Sequence, residues 1–290
     1  MIRIIHRVVV FLFVVSAALF MAITFRTSEQ RDTDGPEIVM AENTVTTSIG
    51  CTSEDILAGV TASDSKDGDV TDSLVVQGFS NFIEKGRRQA VLAAFDSDNN
   101  VAKATREVIY EDYVSPRFSL TGPLRFSISE VSDINNVSSA FRVNDCLDGD
   151  ISSNITISTD NSYISTMVGE YPTTFQVVNS AGDVASLTAT VEVCDMAEAS
   201  RCASVVLSDY LVYIKAGETI NPLDYVTGIS FGGMEYAFDN SGAENAGYTK
   251  DDIQVYNPVD SKNPGVYEIV YSVEGEAGYQ SRIRLIVIVE

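Results

Sequence analysis

Hydrophobic and polar residues alternate with a period of two along most of the chain, the pattern expected of half-buried β-strands. Three runs are clearest, and they begin at Gly86, Gly169 and Gly265. In each run the residues two, four, six and eight positions on share one face of an extended chain, and a tight turn of Asp, Asn or Gly leads into a second alternating run. Two such runs joined by a tight turn predict a β-hairpin. The three faces are Arg88, Ala90, Leu92 and Ala94; Tyr171, Thr173, Phe175 and Val177; and Tyr267, Ile269, Tyr271 and Val273.

An internal repeat organises the chain around these hairpins. The acidic string at 64–71 (DSKDGDVT) recurs at 145–152 (DCLDGDIS), and Pro36 recurs at almost the same displacement as Pro116. No stretch keeps an amphipathic 3.6-residue period, so few helices are expected. Short strands at this spacing, in units of this size, predict antiparallel β-sandwiches. The predicted domains are 34–112, 113–195 and 203–290, with a linker at 196–202.

The N-terminal segment has a different pattern, because 8–25 is an apolar run without a charged residue. A helix of this length spans about 27 Å, close to the hydrocarbon core of a bilayer. Arg3 and Arg7 precede the run, so the positive-inside rule leaves 1–7 in the cytoplasm and places the stalk at 26–33 and everything beyond it outside. The run ends without a small-residue cleavage site, so we expect an uncleaved single-pass anchor in the cell membrane rather than a cleaved signal peptide.

The amino-acid composition excludes several classes of protein function. The chain holds one histidine, His6, so histidine-dependent triads and histidine-ligated zinc are excluded beyond the N-terminal segment. We therefore expect no enzyme. After Arg26, 16 Lys and Arg stand against 41 Asp and Glu, a balance of −25. Such acidity repels nucleic acids, whose binding surfaces need clustered basic residues. The expected partners are the membrane, through the N-terminal helix, and a protein or cell-wall ligand.

The acidic string belongs to a longer motif. The sequence ASDSKDGDVT at 62–71 follows a Pro-x-Ile run and precedes a final hairpin with an Asp-x-x-Asn turn. This combination resembles bacterial surface immunoglobulin-like domains, the repeats of exported cell-wall and adhesin proteins, including the Ig-like repeat shared with some pesticidal crystal toxins. The resemblance covers nearly all of 34–195, but only the last hairpin of 203–290. It implies an all-β chain of Ig-like β-sandwiches, three in tandem after the helix, without catalytic residues.

The aspartates of the repeated string have two interpretations. Asp and Gly favour a tight turn, because the carboxylate accepts bonds from nearby backbone N–H groups and Gly adopts a positive φ. Carboxylates on a short loop also suit calcium, although the EF-hand order of ligands is absent. We favour the turn, and calcium stays open as the one cofactor. The residues concerned are Asp64, Asp67, Asp69, Asp145, Asp148 and Asp150.

Four cysteines without a CxxC spacing predict disulfides in an exported protein. If Ig-like sandwiches stack head to tail, the loops that hold Cys51 and Cys146 face each other across the first junction, so these two should form a bridge. Cys194 and Cys202 flank the linker and are expected to form a second bridge that limits its swing. The alternative is four reduced thiols.

The third unit is predicted to carry the binding surface. It is the most distal, and it has an insert at 228–250 that places Tyr236 and Phe238 on a Gly-flanked loop. Exposed aromatic residues on loops are typical of binding surfaces, but both rings would also serve to close the end of the sandwich. The predicted function is a non-catalytic spacer or adhesive module whose sandwiches lie end to end. The alternative is a structural or accessory subunit of a cell-envelope assembly.

Overall fold

The computed structural model describes residues 2–29, 33–159, 167–199, 201–238, 247–274 and 280–290. Its first element is helix α1, Ile2–Glu29. The 19-residue window His6–Thr24 has a mean hydropathy of 2.4, and none of it is buried inside the protein. By length and composition, α1 is therefore able to cross a membrane.

Domain 1 is a sandwich of two sheets. Its elements are β1 Glu37–Met40, β2 Thr44–Thr47, α2 Ser53–Leu57, β3 Val60–Asp64, β4 Gly68–Asp69, a 3₁₀ turn Thr71–Ser73, β5 Val75–Phe79, β6 Arg87–Phe95 and β7 Val101–Tyr110. The strand orders are β1-β3-β4 and β2-β7-β6-β5. Strand β2 runs parallel to β7, and the other neighbours are antiparallel. The chain therefore changes sheets between β1 and β2.

Domain 2 repeats this plan in its described residues. Its elements are β8 Arg117–Leu120, β9 Arg125–Phe126, α3 Ile128–Val131, α4 Ile134–Ser138, β10 Phe141–Asp145, β11 Gly149–Asp150, a 3₁₀ turn Ser152–Asn154, β12 Thr156–Thr159, β13 Gly169–Val178 and β14 Val184–Val193. The strand orders are β11-β10-β8 and β12-β13-β14-β9. Strand β9 is parallel to β14, as β2 is to β7.

Domain 3 follows a one-turn helix, α5 Met196–Ala199. Its described elements are β15 Ser204–Leu207, β16 Leu211–Ile214, a 3₁₀ turn Pro222–Tyr225, β17 Val226–Phe231, β18 Met234–Ala237, a 3₁₀ turn Lys250–Asp252, β19 Ile253–Tyr256, β20 Gly265–Glu274 and β21 Gln280–Val289. The strand orders are β15-β17-β18 and β16-β21-β20-β19, with β16 parallel to β21. The chain thus consists of three Ig-like sandwiches after one helix, and the predicted fold class is confirmed.

The three hairpins predicted from the alternating pattern are present as β6–β7, β13–β14 and β20–β21. Their inward faces are fully buried at Leu92, Phe175 and Tyr271. A shift of one residue in register would turn each of these faces to solvent. Burial of these apolar side chains, at about 25 cal/mol per Å² of apolar surface, therefore fixes the register that the period of two encodes.

The chain divides into two compact units, 1–112 and 113–290, so domains 2 and 3 form one body. Leu211 and Ile286 of domain 3 belong to the same buried core cluster as Phe118 of domain 2. The backbone N–H of Phe118 also donates to the Tyr213 hydroxyl at 2.8 Å. Domains 2 and 3 therefore share a core along their strands, where the sequence predicted an end-to-end stack.

The predicted disulfides are absent, which corrects the expectation drawn from the cysteine count. All four cysteines lie in described parts of the chain, and no disulfide links them. Cys146 in domain 2 directs its thiol to the Val114 carbonyl oxygen at 3.0 Å. The Cys194 thiol is directed to Met196 Sδ at 3.6 Å, and the one-turn helix α5 lies between Cys194 and Cys202 in the chain.

Candidate functional site

Two turns at one end of domain 1 bring three carboxylates together. Asp64 ends β3, Asp67 lies in the β3–β4 turn, and Asp96 follows β6. One carboxylate oxygen from each lies within 4.8 Å of the other two. Over the described residues, no other set of three His, Cys, Asp or Glu side chains comes as close.

Asp64 is the buried member of this cluster, with 8% of its surface exposed. Its Oδ1 accepts bonds from the backbone N–H groups of Asp67 at 2.9 Å and Lys66 at 2.8 Å. These two bonds lower the pKa of Asp64, so the carboxylate is charged at neutral pH. Its Oδ2 is buried and has no hydrogen-bond donor.

Residues of the β6–β7 turn donate hydrogen bonds to the other two carboxylates. Asp67 accepts bonds from the Ser97 hydroxyl at 2.9 Å and the Ser97 backbone N–H at 2.8 Å. Asp96 accepts from the backbone N–H and the side-chain amide of Asn100, both at 2.7 Å. Each carboxylate oxygen has two lone pairs, so these oxygens can still accept one further interaction.

The corresponding end of domain 2 repeats two of the three carboxylates. Asp145 Oδ1 accepts bonds from the backbone N–H groups of Leu147 at 2.9 Å and Asp148 at 3.0 Å. Asp148 accepts bonds from the backbone N–H and the hydroxyl of Ser180, both at 2.6 Å. Both acidic strings therefore form the same tight turn, fastened to the following hairpin through a serine.

The third position differs between the two domains. Asn179 occupies in domain 2 the place that Asp96 occupies in domain 1, ten residues after the glycine that precedes each hairpin. Asn179 Nδ2 donates to Asp145 Oδ2 at 3.1 Å and to the Tyr113 hydroxyl oxygen at 2.9 Å. The oxygen that lacks a donor in Asp64 thus has one in Asp145.

Asp69 and Asp150 belong to neither cluster, although the sequence grouped them with the others. Each accepts a bond from the backbone N–H two residues on, Thr71 at 3.0 Å and Ser152 at 2.9 Å. Hydrogen bonds from these same two residues lower the pKa values of Asp69 and Asp150. Both carboxylates are exposed and fix the start of a 3₁₀ turn.

Asp96 is not among the ligand candidates that the sequence predicts. It was visible as the first residue of the predicted hairpin turn, at the repeat position where domain 2 has Asn179. Comparison of the two repeats shows a change from an acid, Asp96, to an amide, Asn179, at this position. The sequence does not show that the β3–β4 and β6–β7 turns adjoin, so it could not place Asp96 beside Asp64 and Asp67.

The structure separates the two predicted aromatic binding residues. Phe238, just after β18, is half-buried and packs against the hydrophobic core of domain 3. Tyr236 is half-buried within β18, opposite Ile229 of β17. Phe238 therefore helps to close the sandwich, and the part of the insert at 239–246 lies outside the described residues.

A shallow groove lined by domain 3 and by Glu170 of domain 2 has a more exposed aromatic ring at its side. Tyr256 ends the edge strand β19 and is 68% exposed. The groove measures about 470 Å³, and its polar lining residues are Glu170, Gln254, Ser272, Arg282 and Arg284. An exposed ring beside charged and amide side chains is suited to a polar ligand surface.

Two partly buried arginines connect domain 2 to domain 3. Arg125 Nε donates to Glu192 at 3.0 Å within domain 2, and its Nη2 donates to the Arg282 carbonyl oxygen of domain 3 at 2.5 Å. Arg284 pairs with Glu170 at 2.7 Å and with Glu268 at 3.4 Å. Paired, hydrogen-bonded charges of this kind define one docking geometry for the two sandwiches.

Burial and the neighbouring arginines have opposite effects on the pKa of Glu170. Its partial burial alone would raise its pKa, but the hydrogen bond and charge of Arg284, with a smaller contribution from Arg282, outweigh that effect. The pKa of Glu170 is therefore lowered. The acid therefore stays ionised at neutral pH and remains paired with Arg284 of domain 3.

No protein-family model matches the sequence. An uncharacterized 81.3 kDa protein of Acholeplasma phage L2 is 26% identical over 109 residues, which is 37% of this chain and 15% of the phage protein. The chain thus spans only a small part of that relative's length.

Solved structures with some similarity have low scores. The CBM51-2 and INT domains of ZmpB from Clostridium perfringens, a structure with GlcNAc, are 16% identical, with a TM-score of 0.22 over 54% of this chain and 26% of that one. A protocadherin GammaB4 extracellular domain is 12% identical, with a TM-score of 0.19 over 89% of this chain and 50% of that one. A lipoprotein of Bacteroides thetaiotaomicron is 12% identical, with a TM-score of 0.20 over 87% and 98%. Nothing about the function of this chain follows from similarity at this level.

Proposed function

We propose that this chain is a non-catalytic, membrane-anchored surface protein whose three sandwiches act as a spacer or adhesive module. The observation that carries the proposal is an unburied apolar helix, His6–Thr24, ahead of a series of β-sandwiches that starts at Glu37. An apolar helix without a protein partner is costly in water and favourable in a bilayer. The helix therefore accounts for attachment, and the sandwiches account for the bulk of the chain.

The charge distribution supports an external position for the sandwiches. Arg3 and Arg7 precede the apolar segment, which orients the N-terminus toward the cytoplasm. The part after Arg26 has a balance of −25, which keeps it soluble and favours basic or cation-bridged partners. The proposed partner is a protein or a cell-wall ligand.

Domain 3 is the proposed contact domain, and the groove beside Tyr256 is its best surface. Tyr256 is exposed, whereas Phe238 packs on the core. Tyrosine is enriched at binding surfaces because its ring adds apolar area and its hydroxyl a hydrogen bond. The ligand surface predicted at 236–238 therefore shifts to the β19 edge in the proposal.

Membrane attachment is tested by expressing the full chain with a C-terminal tag in a bacterial host. We expect the protein to sediment with membranes, to resist extraction by high salt, and to be degraded from outside by protease added to spheroplasts. The variant Val10→Arg/Val14→Arg places two charges in the apolar segment, each of which costs about 3 kcal/mol at a bilayer centre, and should become soluble. Val39→Arg/Val184→Arg, at two exposed strand positions, is the matched control and should stay in the membrane.

A soluble, protease-protected wild-type chain would contradict the proposal. Mass spectrometry of the purified protein distinguishes an anchor from a cleaved signal, because a cleaved chain lacks α1. Stoichiometric co-purification with other membrane proteins in mild detergent would favour the envelope-assembly subunit instead.

Ligand contact is tested with purified cell walls and the detergent-solubilised chain. Tyr256→Ala should weaken sedimentation with the walls about tenfold, the effect of losing one aromatic anchor. Tyr236→Ala is the control and should leave binding within about twofold of wild type. The reverse order would return the surface to β18.

A further inference from the structure

We propose that domain 1 binds one calcium ion between Asp64, Asp67 and Asp96, and that the matching end of domain 2 binds none. The proposal is independent of the surface function. It assigns a ligand to a cluster in which the sequence had grouped Asp64 and Asp67 with Asp69 instead. It also predicts a difference between two turns of the same design.

The buried oxygen of Asp64 is the first feature that points to a cation. This residue is 8% exposed, and Oδ2 has no hydrogen-bond donor. A buried, charged oxygen without a partner carries the full cost of its desolvation. Among described residues only one other buried side-chain atom, Arg106 Nε, shares this condition. A cation facing Oδ2 would remove the cost.

The three carboxylates also concentrate negative charge in a small volume. Three carboxylate oxygens lie within 4.8 Å of one another, and like charges at this separation repel. Lys66, in the same turn, directs its ammonium group to Asp98. The hydrogen bonds to Asp67 and Asp96 come from neutral donors, Ser97 and Asn100. A divalent cation would supply the positive charge that these donors do not.

The ligand atoms and their spacing favour calcium over other cations. The three ligand groups offer oxygen only, which suits a hard cation. Two oxygens bound to one calcium ion lie at most about 5 Å apart, twice the bond length, and the observed separations stay inside this limit. Asp67 is exposed, so the ion can enter from solvent and complete its shell of six to eight oxygens with water. Magnesium, with its shorter bonds and rigid octahedron, fits three side chains from two turns less well.

The structural consequence is a clamp between two turns. Asp64 and Asp67 belong to the β3–β4 turn and Asp96 to the β6–β7 turn. These turns come from the two different sheets of domain 1. In domain 2 the amide of Asn179 makes the equivalent link to Asp145 as a hydrogen bond. Domain 1 therefore uses an external ion where domain 2 uses an internal donor.

The test is isothermal titration of Ca²⁺ into the full chain in detergent after removal of divalent ions with a chelator. We expect one site per chain, with a dissociation constant near about 10⁻⁴ M, as in extracellular calcium modules. Asp96→Asn, which copies domain 2, and Asp64→Asn should each weaken binding at least about tenfold. Asp148→Asn removes the domain 2 counterpart of Asp67 and is the matched control, with unchanged binding.

A second measurement separates binding from folding. Hydrogen exchange of peptides from 60–69 and 87–100 should slow when Ca²⁺ is added to the wild type. In Asp96→Asn these peptides should be protected without Ca²⁺ and should not respond to it, because the new amide can donate to Asp64 Oδ2. No heat and no protection at about 10 mM Ca²⁺, well above the expected constant, would overturn the proposal. So would equal losses in Asp96→Asn and Asp148→Asn.

Discussion

Domains 1 and 2 share one plan and differ in what holds their ends together. Both fasten an acidic turn to the last hairpin through a serine, Ser97 in domain 1 and Ser180 in domain 2. Domain 2 completes the junction with the amide of Asn179, whereas domain 1 places a third carboxylate, Asp96, at the same position. One side-chain group, NH₂ in place of O⁻, thus separates a junction closed by a hydrogen bond from the one for which we propose a cation.

The two domains also differ in their surroundings. Domain 1 lies in the unit 1–112, while domain 2 shares a core and an ion network with domain 3. Domain 1 also has a buried arginine, Arg106, which is 4% exposed and donates to the carbonyl oxygens of Ile56 and Ala58 at 2.6 and 2.7 Å. The equivalent residue of domain 2 is Ala189. Repeats of one fold can therefore be stabilised by different means at the same positions.

The largest effect is expected from Arg106→Ala in domain 1. The change leaves the Ile56 and Ala58 carbonyl oxygens at the end of α2 without donors and opens a cavity, so domain 1 should lose about 3 kcal/mol of unfolding free energy. Hydrogen exchange of peptides from β6 and β7 measures the loss. Arg142→Ala, at an exposed arginine of domain 2, is the control and should cost less than about 0.5 kcal/mol. Similar losses in both variants would mean that Arg106 has no special role.

A smaller effect is expected from Arg284→Leu at the junction of domains 2 and 3. The arginine is 13% exposed in its side chain, and its loss removes the cation paired with Glu268 and leaves Glu170 with only its longer contact to Arg282. We expect about 2 kcal/mol of destabilisation, seen as faster exchange in β14 and β20 but not in domain 1. Arg282→Leu, two residues away and 55% exposed, should cost at most about 1 kcal/mol. Faster exchange in domain 1 would show that the two units are coupled.

Asn179→Asp should convert domain 2 into a copy of domain 1. Without Ca²⁺ the variant loses the bond from Asn179 to Asp145 and gains a repelling charge, so domain 2 should lose about 1 kcal/mol or somewhat more. With Ca²⁺ the titration should report two sites per chain instead of one. A destabilised domain 2 that ignores Ca²⁺ would mean that three carboxylates in this turn do not suffice for binding.

The smallest effect is a pH dependence of the junction between domains 2 and 3. The pKa of Glu170 is lowered from its ordinary value of 4.5. Its contribution to stability is therefore complete above about pH 4.5 and disappears as the pH falls through the lowered value in the folded protein. Exchange in β13 and β20 should accelerate over this range, and Glu170→Gln should reduce the change. An identical pH profile in Glu170→Gln would exclude Glu170 as a source of the sensitivity.

The local pattern alone was enough to predict the hairpins and the turns. The period of two in 86–110, 169–193 and 265–289 predicted three hairpins, because side chains alternate across a strand and one face must be buried. The Asp-Gly-Asp strings predicted tight turns, since a carboxylate two or three residues before a backbone N–H can cap it. The sequence contains no comparable signal for the passage of the chain from the sheet of β1 to the sheet of β2. That passage depends on parallel pairing of β2 with β7, the last strand of the domain.

The sequence by itself determined the fold class, the repeat and the apolar helix, because these follow from periodicity and composition. Only the tertiary structure decided which acids meet. Asp69 is close to Asp67 in sequence but turns away to cap Thr71, whereas Asp96, from a different turn, joins Asp67. The tertiary structure also decided that the cysteines form no disulfides. The number of cysteines does not show which thiols meet in space, and α5 lies between Cys194 and Cys202. Contacts between distant segments depend on how sheets pack, and packing is settled by the whole core rather than by any one motif.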